Sequence, residues 1–242
     1  MQHNSNNKTI IFFDIDDTLY DSSNFRVIAR KESIRELNKS LKKFNHSFTE
    51  EYLYDMFEKI YQEDKNSSKM YDKLLERLNI PIYEISMHVA KTVKKWEDTK
   101  NKMKTFDNVK DVLDKLIQKG YKLGIASSGL SIKQWDKLLR IGLSDYFDPI
   151  NVFITEEING IRRKYSKDTL FYLQIKHYYK KEKFEHFYMI GDKFEQDIQP
   201  ALDAGFNTIL FQEKKYIQNY KEEIKKTKTQ TITSFSQLLD IF

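Results

Sequence analysis

Residues 9–19 read Thr-Ile-Ile-Phe-Phe-Asp-Ile-Asp-Asp-Thr-Leu, and this stretch decides the fold class. An apolar run without polar alternation is typical of a strand buried on both faces, as in a parallel sheet. Similar runs recur later in the chain, at 121–126, 151–155, 187–190 and 208–211. Helical patterns of apolar residues separate them. Alternating strands and helices predict an α/β fold, with a Rossmann-like, three-layer α/β/α core built on a parallel sheet.

The segment 21–103 differs from the rest of the chain. Its apolar residues follow helical spacing and do not alternate convincingly with polar ones. All seven glycines of the chain lie outside it, between Gly120 and Gly205. We predict that 21–103 is an α-helical cap inserted after the first strand. The core then consists of residues 1–20 and 104–242.

Two further predictions concern local structure. Ser47 and Glu50 have the spacing of a capping box, which predicts the start of a helix within the cap. Residues 213–231 are polar and rich in lysine and tyrosine. We expect this stretch to form surface helix and loop ahead of a last apolar turn.

The composition excludes several classes of protein. The chain has no cysteine, which excludes disulfides, thiolate metal ligands and a cysteine nucleophile and favours a reducing compartment. Its apolar runs are too short for a transmembrane span, and its polar first residues do not resemble a signal peptide. The 41 lysines and arginines, against 36 acidic residues, are spread along the chain, which favours a solvated surface over a nucleic-acid footprint. We expect a cytoplasmic protein that binds neither membranes nor nucleic acids.

Acidic side chains follow two of the predicted strands. Asp14 and Asp16 follow the first strand, and Asp192 and Asp197 follow the run 187–190. Ligands of an open parallel sheet lie at the carboxyl ends of its strands, so these acids point toward one site. Several carboxylates in one crevice repel each other unless a hard cation neutralises them. Oxygen ligands without histidine or cysteine favour Mg²⁺.

Two other features at strand ends suit a phosphate. Ser127 directly follows the run 121–126 and offers a hydroxyl and successive backbone N–H groups. A basic cluster follows the run 151–155 and contains Arg162, Arg163, Lys164 and Lys167. Carboxylates, a hard cation and phosphate-binding groups together predict phosphoryl transfer with a carboxylate nucleophile.

The order of these motifs resembles the haloacid dehalogenase superfamily in its phosphatase branch. The matching features are Asp-x-Asp-x-Thr-Leu, a strand-end serine, a lysine after the next strand, and Gly-Asp-x-x-x-x-Asp. The resemblance covers most of residues 8–211 and places a cap after the first motif. Stretches 12–21, 28–30 and 133–135 are similar to small archaeal phosphatases, some described as acting on glyceraldehyde 3-phosphate.

The resemblance implies a role for each matching residue. Asp14 would be the nucleophile that becomes an aspartyl phosphate, and Asp16 the general acid and then the general base. Mg²⁺ would be held by the carboxylates of Asp14 and Asp192 and the backbone carbonyl of Asp16. Asp197 would orient the waters of the metal or the lysine, and Thr18 would support the loop by hydrogen bonding.

Ser127 and a lysine would bind the transferring phosphoryl group. Lys164 is our first choice for this lysine. The family's usual Lys-Pro pair is missing here, and the next aromatic residue is one position too far along the chain. Arg163 and Lys167 therefore remain alternatives.

The predicted function is a Mg²⁺-dependent phosphatase of a small phosphorylated metabolite, with glyceraldehyde 3-phosphate as one candidate. The alternatives are a phosphomutase of a sugar phosphate and a nucleoside 5′-monophosphate phosphatase. A dehalogenase is disfavoured because Asp16 is present, and a signalling receiver domain because its acceptor Asp normally follows the third strand. A non-catalytic binding protein is also disfavoured. The sequence leaves the physiological substrate and the oligomeric state open.

Overall fold

The computed structural model describes residues 8–64, 67–159, 166–182, 184–212, 220–227 and 229–242. The chain divides into two compact units. The first unit is formed by Met1–Ser22 together with Lys104–Phe242, and the second by Ser23–Met103. Within the described ranges, every helix is too short or too polar to cross a bilayer.

The first unit contains a six-stranded sheet. Its strands are β1 (Thr9–Phe13), β2 (Lys122–Ser127), β3 (Val152–Ile154), β4 (His186–Gly191), β5 (Asn207–Phe211) and β6 (Gln230–Ile232). Neighbouring strands pair in parallel, in the order β3-β2-β1-β4-β5-β6. β1 is central and buried along its whole length, as its unbroken apolar run requires. The predicted parallel α/β fold is confirmed.

β6 corrects the prediction for residues 213–231, which assigned no strand there. Gln230 pairs with Ile209 and Ile232 with Phe211, so the segment adds an edge strand to β5. The three residues Gln-Thr-Ile are too short and too polar to give a strand pattern by themselves. The strand forms because β5 offers a free edge of backbone N–H and C=O groups to pair with, and the side chains of 230–232 do not predict it.

The second unit is helical. It contains α1 (Ser22–Lys42), α2 (Glu50–Glu63), α3 (Met70–Arg77) and α4 (Ile82–Thr99). Its core is a cluster of buried apolar side chains drawn from all four helices, among them Leu37, Leu53, Leu74 and Ile85. α2 begins one residue after Thr49, whose side chain accepts a hydrogen bond from Tyr52 N at 3.1 Å. Thr49 is therefore the cap, and the predicted capping box at Ser47 is wrong.

The first unit also contains helices, which connect its strands or, for the last, follow β6. They are α5 (Val109–Gln118), α6 (Ser131–Arg140), α7 (Thr155–Asn159), α8 (Thr169–Tyr178), α9 (Gln199–Asp203), α10 (Lys221–Thr227) and α11 (Leu238–Ile241). One core cluster is rich in aromatic rings. In it Phe12 of β1 lies against Phe153 and Phe206, with ring centroids 5.8 and 6.1 Å away. This packing fixes β1 between its neighbours.

The position of β1 determines where a ligand can bind. β1 pairs with β2 on one side and with β4 on the other, which is where the strand order reverses. Asp14 N donates to Ile190 O at 2.9 Å, so the ladder continues one residue beyond β1. Asp14 therefore lies at the carboxyl edge of the sheet, at the switch point that open α/β folds use for ligands.

Candidate active site

Asp14 is a buried carboxylate held by a buried lysine. The residue is 5% exposed, and its Oδ1 accepts a hydrogen bond from Lys167 Nζ at 2.7 Å. Lys167 Nζ also donates to Ala126 O at 3.2 Å, near the end of β2. One ammonium group thus connects the end of β1 to the end of β2. A buried charge pair with a further hydrogen bond is well defined in position.

The position of Lys167 follows from the start of α8. Asp168 is the cap of that helix, and its side chain accepts a hydrogen bond from Phe171 N at 2.9 Å. The residue before this cap is thereby brought to the sheet edge.

Three aspartates lie together at this edge. Carboxylate oxygens of Asp14, Asp192 and Asp197 are all within 4.8 Å of one another. Asp192 Oδ1 is buried and has no hydrogen-bond partner among the described residues. Asp197 is buried and forms an ion pair with Lys167. An unpaired buried oxygen within a set of oxygen ligands fits a hard cation.

The approach of Asp197 depends on a glycine at the end of β4. Asp197 lies in a one-turn π-helical segment, Phe194–Ile198, and its Oδ2 accepts a hydrogen bond from Lys193 N at 3.0 Å. A Cβ atom added at Gly191 would overlap the Asp197 side chain. The Gly-Asp-x-x-x-x-Asp spacing therefore has a packing reason, because the glycine makes room for the second aspartate.

The electrostatics of the cluster indicate a shortage of positive charge. Burial and the neighbouring Asp197 raise the pKa of Asp192 to about 8. Burial also raises the pKa of Asp14, and the Lys167 ammonium opposes this without reversing it. Burial alone would lower the pKa of Lys167, but Asp14 and Asp197 raise it well above its usual value. A further cation at this edge would stabilise the ionised acids.

Asp16 lies in the turn after β1 and is only partly buried. Its Oδ1 accepts a hydrogen bond from Tyr20 Oη at 2.8 Å, and its Oδ2 accepts one from Lys137 Nζ at 2.6 Å. Asp17 follows with φ of 57°, a left-handed conformation that turns the chain away from the strand direction. Thr18 is fully buried, and its hydroxyl oxygen has no hydrogen-bond partner in the described part of the chain.

Ser127 ends β2 and is 2% exposed. The loop after it is held from two sides. Gly129 N donates to Thr155 Oγ1 at 3.1 Å, and Gln134 Nε2 donates to Ser128 O at 2.7 Å. Gly129 has φ of 123°, a conformation that favours glycine. The loop that could face a phosphate is therefore fixed by neighbours on α7 and α6.

The predicted site residues are placed as follows. Asp14, Asp16, Ser127 and Asp192 lie at the carboxyl ends of the adjacent strands β1, β2 and β4, and Asp197 joins them from the segment after β4. Lys164 and Arg163 lie outside the described residues. Their alternative, Lys167, contacts Asp14.

The side chains of Tyr20 and Lys137 both donate hydrogen bonds to Asp16. No motif in the sequence predicts these contacts. Tyr20 stands four residues after Asp16, and Lys137 lies on α6 one turn after Gln134. The resemblance covers the stretch 133–135 but stops two residues before Lys137. Its role depends on a contact between distant parts of the chain.

Comparison with known proteins agrees with this geometry. The chain is 32% identical to a glyceraldehyde 3-phosphate phosphatase of Methanothermobacter thermautotrophicus over 214 residues, 83% of this chain and 84% of that protein. It is 29% identical to a protein of the same name from Pyrococcus furiosus, covering 96% and 92% of the two chains. The fold is similar to that of a 2-haloacid dehalogenase from Pseudomonas syringae pv. Tomato DC3000, with a TM-score of 0.62, 19% identity, and coverage of 96% and 97%.

A family model described as haloacid dehalogenase-like hydrolase matches residues 11–211, from the first strand to the end of β5. This span includes every described candidate residue at the sheet edge. The resemblance predicted from the motifs is thus confirmed: the chain belongs to the haloacid dehalogenase-like hydrolase family.

Proposed function

We propose that the protein is a Mg²⁺-dependent phosphatase that hydrolyses a small phosphorylated metabolite through an aspartyl phosphate on Asp14. The observation that carries the proposal is the buried Asp14 carboxylate, paired with Lys167 and adjacent to Asp192 and Asp197. A carboxylate held in place beside a fixed positive charge can attack phosphorus while the charge on the phosphoryl oxygens is offset.

The reaction has two halves. In the first, a carboxylate oxygen of Asp14 forms a bond to phosphorus, the bond from phosphorus to the leaving oxygen breaks, and Asp16 gives that oxygen a proton. In the second, water attacks the phosphorus of the aspartyl phosphate and passes a proton to Asp16, and the bond from phosphorus to the Asp14 oxygen breaks. Inorganic phosphate leaves, and Asp14 and Asp16 return to their starting states. One carboxyl group thus acts as acid and then as base.

Lys167 and Ser127 are our candidates for binding the transferring phosphoryl group. Lys167 is chosen over Lys164 because its ammonium group lies 2.7 Å from Asp14 Oδ1. Ser127 ends β2, one residue beyond the carbonyl of Ala126 that Lys167 contacts. A fixed cation and donor groups at this position would stabilise the charge that the phosphoryl oxygens carry in the transition state.

Mg²⁺ fits the acidic cluster. The carboxylates of Asp14 and Asp192 and the backbone carbonyl of Asp16 would hold it, as oxygen ligands suited to a hard cation. The unpartnered Oδ1 of Asp192 supports this assignment. When bound, the ion would neutralise charge between the carboxylates and the phosphate. Asp197 keeps a separate task in this proposal, which is to hold Lys167 through their ion pair.

Glyceraldehyde 3-phosphate is the proposed substrate. The support is the name shared by the two relatives, which this chain matches over most of its length. The test compares phosphate release from glyceraldehyde 3-phosphate with release from nucleoside monophosphates at fixed Mg²⁺. A higher kcat/KM for the triose phosphate is expected, and a clear preference for a nucleotide would overturn the assignment. Free phosphate released without any added bisphosphate would separate hydrolysis from a phosphomutase reaction.

Asp14→Asn tests the mechanism directly. With para-nitrophenyl phosphate and Mg²⁺ we expect kcat to fall by at least about 10⁴-fold, because an amide cannot form the covalent intermediate. Asp145→Asn is the matched control, since Asp145 is exposed on the same unit, and its kcat should stay near that of the unchanged protein. An Asp14→Asn protein that is folded and keeps its activity would refute the aspartyl-phosphate mechanism.

A further inference from the structure

Helix α6 carries two polar side chains that connect the loop after β2 to the turn after β1. Gln134 and Lys137 lie one turn apart on this helix. Gln134 Nε2 donates to Ser128 O at 2.7 Å, and Gln134 Oε1 accepts from Lys137 Nζ at 3.0 Å. Lys137 Nζ also donates to Asp16 Oδ2 at 2.6 Å. A chain of hydrogen bonds therefore runs from the loop beside Ser127 to the carboxylate of Asp16.

The side chains in this series of hydrogen bonds are held more firmly than those of an exposed ion pair. Gln134 is 4% exposed, and the side chains of Lys137 and Asp16 are 22% and 26% exposed. Exposed ion pairs contribute little because two long side chains must be held in one geometry. Here the Gln134 amide, itself fixed on the backbone of Ser128, limits the freedom of the Lys137 side chain before it reaches Asp16.

The two oxygens of Asp16 accept hydrogen bonds from opposite parts of the first unit. Tyr20 Oη donates to Oδ1 from the same turn, and Lys137 Nζ donates to Oδ2 from α6. A donor on each oxygen fixes the rotation of the carboxylate plane as well as its position. Proton transfer needs the two heavy atoms within hydrogen-bond reach, and a misplacement of about 1 Å costs about 100-fold in rate.

We propose that Lys137, oriented by Gln134, is the positioning residue that holds the Asp16 carboxyl group for proton transfer to the leaving oxygen. The inference rests on the proposed function, because that function gives Asp16 the proton-transfer step. Lys137 acts through Asp16 and does not touch the reacting atoms.

The proposal predicts a dependence on the leaving group. An alkoxide is a poor leaving group and needs the proton from Asp16, whereas a nitrophenolate leaves readily without it. The constant kcat/KM covers the steps up to departure of the leaving group, so it reports this proton transfer without the later hydrolysis of the aspartyl phosphate. Loss of Lys137 should therefore lower kcat/KM most for alkyl phosphates.

The experiment compares Lys137→Met with Lys133→Met on para-nitrophenyl phosphate, phenyl phosphate and glycerol phosphate at saturating Mg²⁺. Lys133 is an exposed lysine on the same helix, so its replacement makes the same change in charge. For Lys137→Met we expect kcat/KM to fall about 10- to 100-fold with glycerol phosphate, and about threefold or less with para-nitrophenyl phosphate. Lys133→Met should leave all three values unchanged.

Two further variants keep the test decisive. Lys137→Arg retains a cationic donor and should recover part of the loss with glycerol phosphate. Gln134→Leu removes the acceptor that orients Lys137 and also the donor to Ser128 O. It should still lower kcat/KM more with glycerol phosphate than with para-nitrophenyl phosphate, which matters if Lys137→Met does not fold. An equal loss on all three substrates, or no loss with glycerol phosphate, would overturn the proposal.

The failure of this inference can be told apart from the failure of the proposed function. If Asp14→Asn remains active on all three phosphates, the aspartyl-phosphate mechanism is wrong. If Asp14→Asn is inactive while Lys137→Met shows no dependence on the leaving group, the mechanism stands and only the positioning role of Lys137 is refuted.

Discussion

The two units bury polar groups in different ways. In the helical unit several polar side chains face complementary ones: Ser40 Oγ and buried His88 Nδ1 share a hydrogen bond of 2.7 Å, and half-buried His46 Nε2 lies 2.8 Å from Glu84 Oε2. The hydrogen bond from His46 lowers the pKa of Glu84, and burial lowers the pKa of His88. The first shift favours the ionised form of Glu84, and the second favours the neutral form of His88.

The sheet edge of the first unit is arranged in the opposite way. Asp14, Asp192 and Asp197 lie together around the ammonium group of Lys167, and burial raises the pKa of Asp192 to about 8. Buried charges of the same sign destabilise the fold unless a ligand or ion of opposite charge neutralises them. This difference favours a structural role for the polar contacts of the helical unit and a chemical role for the acidic cluster of the first unit.

Among the changes that keep Asp14, the largest expected effect comes from removing the ammonium group of Lys167. Lys167→Met should lower kcat on para-nitrophenyl phosphate about 10²–10³-fold, or about 2.7–4 kcal/mol, because the phosphoryl charge loses its fixed partner. Steady-state kinetics measure the loss, with exposed Lys180→Met as the control. Unchanged kcat in a folded Lys167→Met protein would mean that another cation binds the phosphoryl group.

The second expected effect concerns metal binding at the acidic cluster. Mg²⁺ at about 100 times its Kd should stabilise the folded protein by about 2.7 kcal/mol relative to EDTA. That corresponds to a rise in Tm of about 5–11 °C, which scanning calorimetry can measure. Asp192→Asn should abolish most of the rise, because it removes the carboxylate with the unpartnered oxygen. A full Mg²⁺ shift in this variant would place the ion elsewhere.

The smallest expected effect lies in the helical unit. Ser40→Ala leaves buried His88 Nδ1 without its partner and should reduce the free energy of unfolding by about 1 kcal/mol. Urea denaturation gives this value, and Ser144→Ala, at an exposed hydrogen bond, should change it by less than about 0.5 kcal/mol. We expect kcat of Ser40→Ala to be unchanged. A loss of activity larger than the loss of stability would contradict the assignment of this network to structure alone.

The sequence predicted the features that depend on local pattern. The run before Asp14 identified a buried central strand, and the runs ending near Ser127 and Asp192 placed those residues at the same edge. Parallel pairing then brought the three strand ends together, as the periodicity implied. Their roles in catalysis stay predictions until the variants are measured.

The features that escaped the sequence depend on contacts between distant residues. β6 forms because β5 offers a free edge, and three residues of mixed polarity give no strand pattern by themselves. Lys137 reaches Asp16 from another helix, so its spacing to Asp16 along the chain carries no information. For the lysine of the site, Lys164 and Lys167 could not be separated by pattern because the stretch departs from the usual Lys-Pro motif. Only the contact with Asp14 favours Lys167.

The central position of β1 has a consequence for the order of synthesis. β1 is made first, yet Ile10 pairs with Lys122 and Phe187, which the ribosome adds much later. At about 5–20 residues per second, the apolar run of β1 waits about 6 to 35 seconds for these partners. Closing so long a loop costs little more than closing a shorter one, but such distant pairings form slowly. The bond from Asp14 N to Ile190 O therefore forms late, and a nascent chain positions Asp14 only when the sheet is nearly complete.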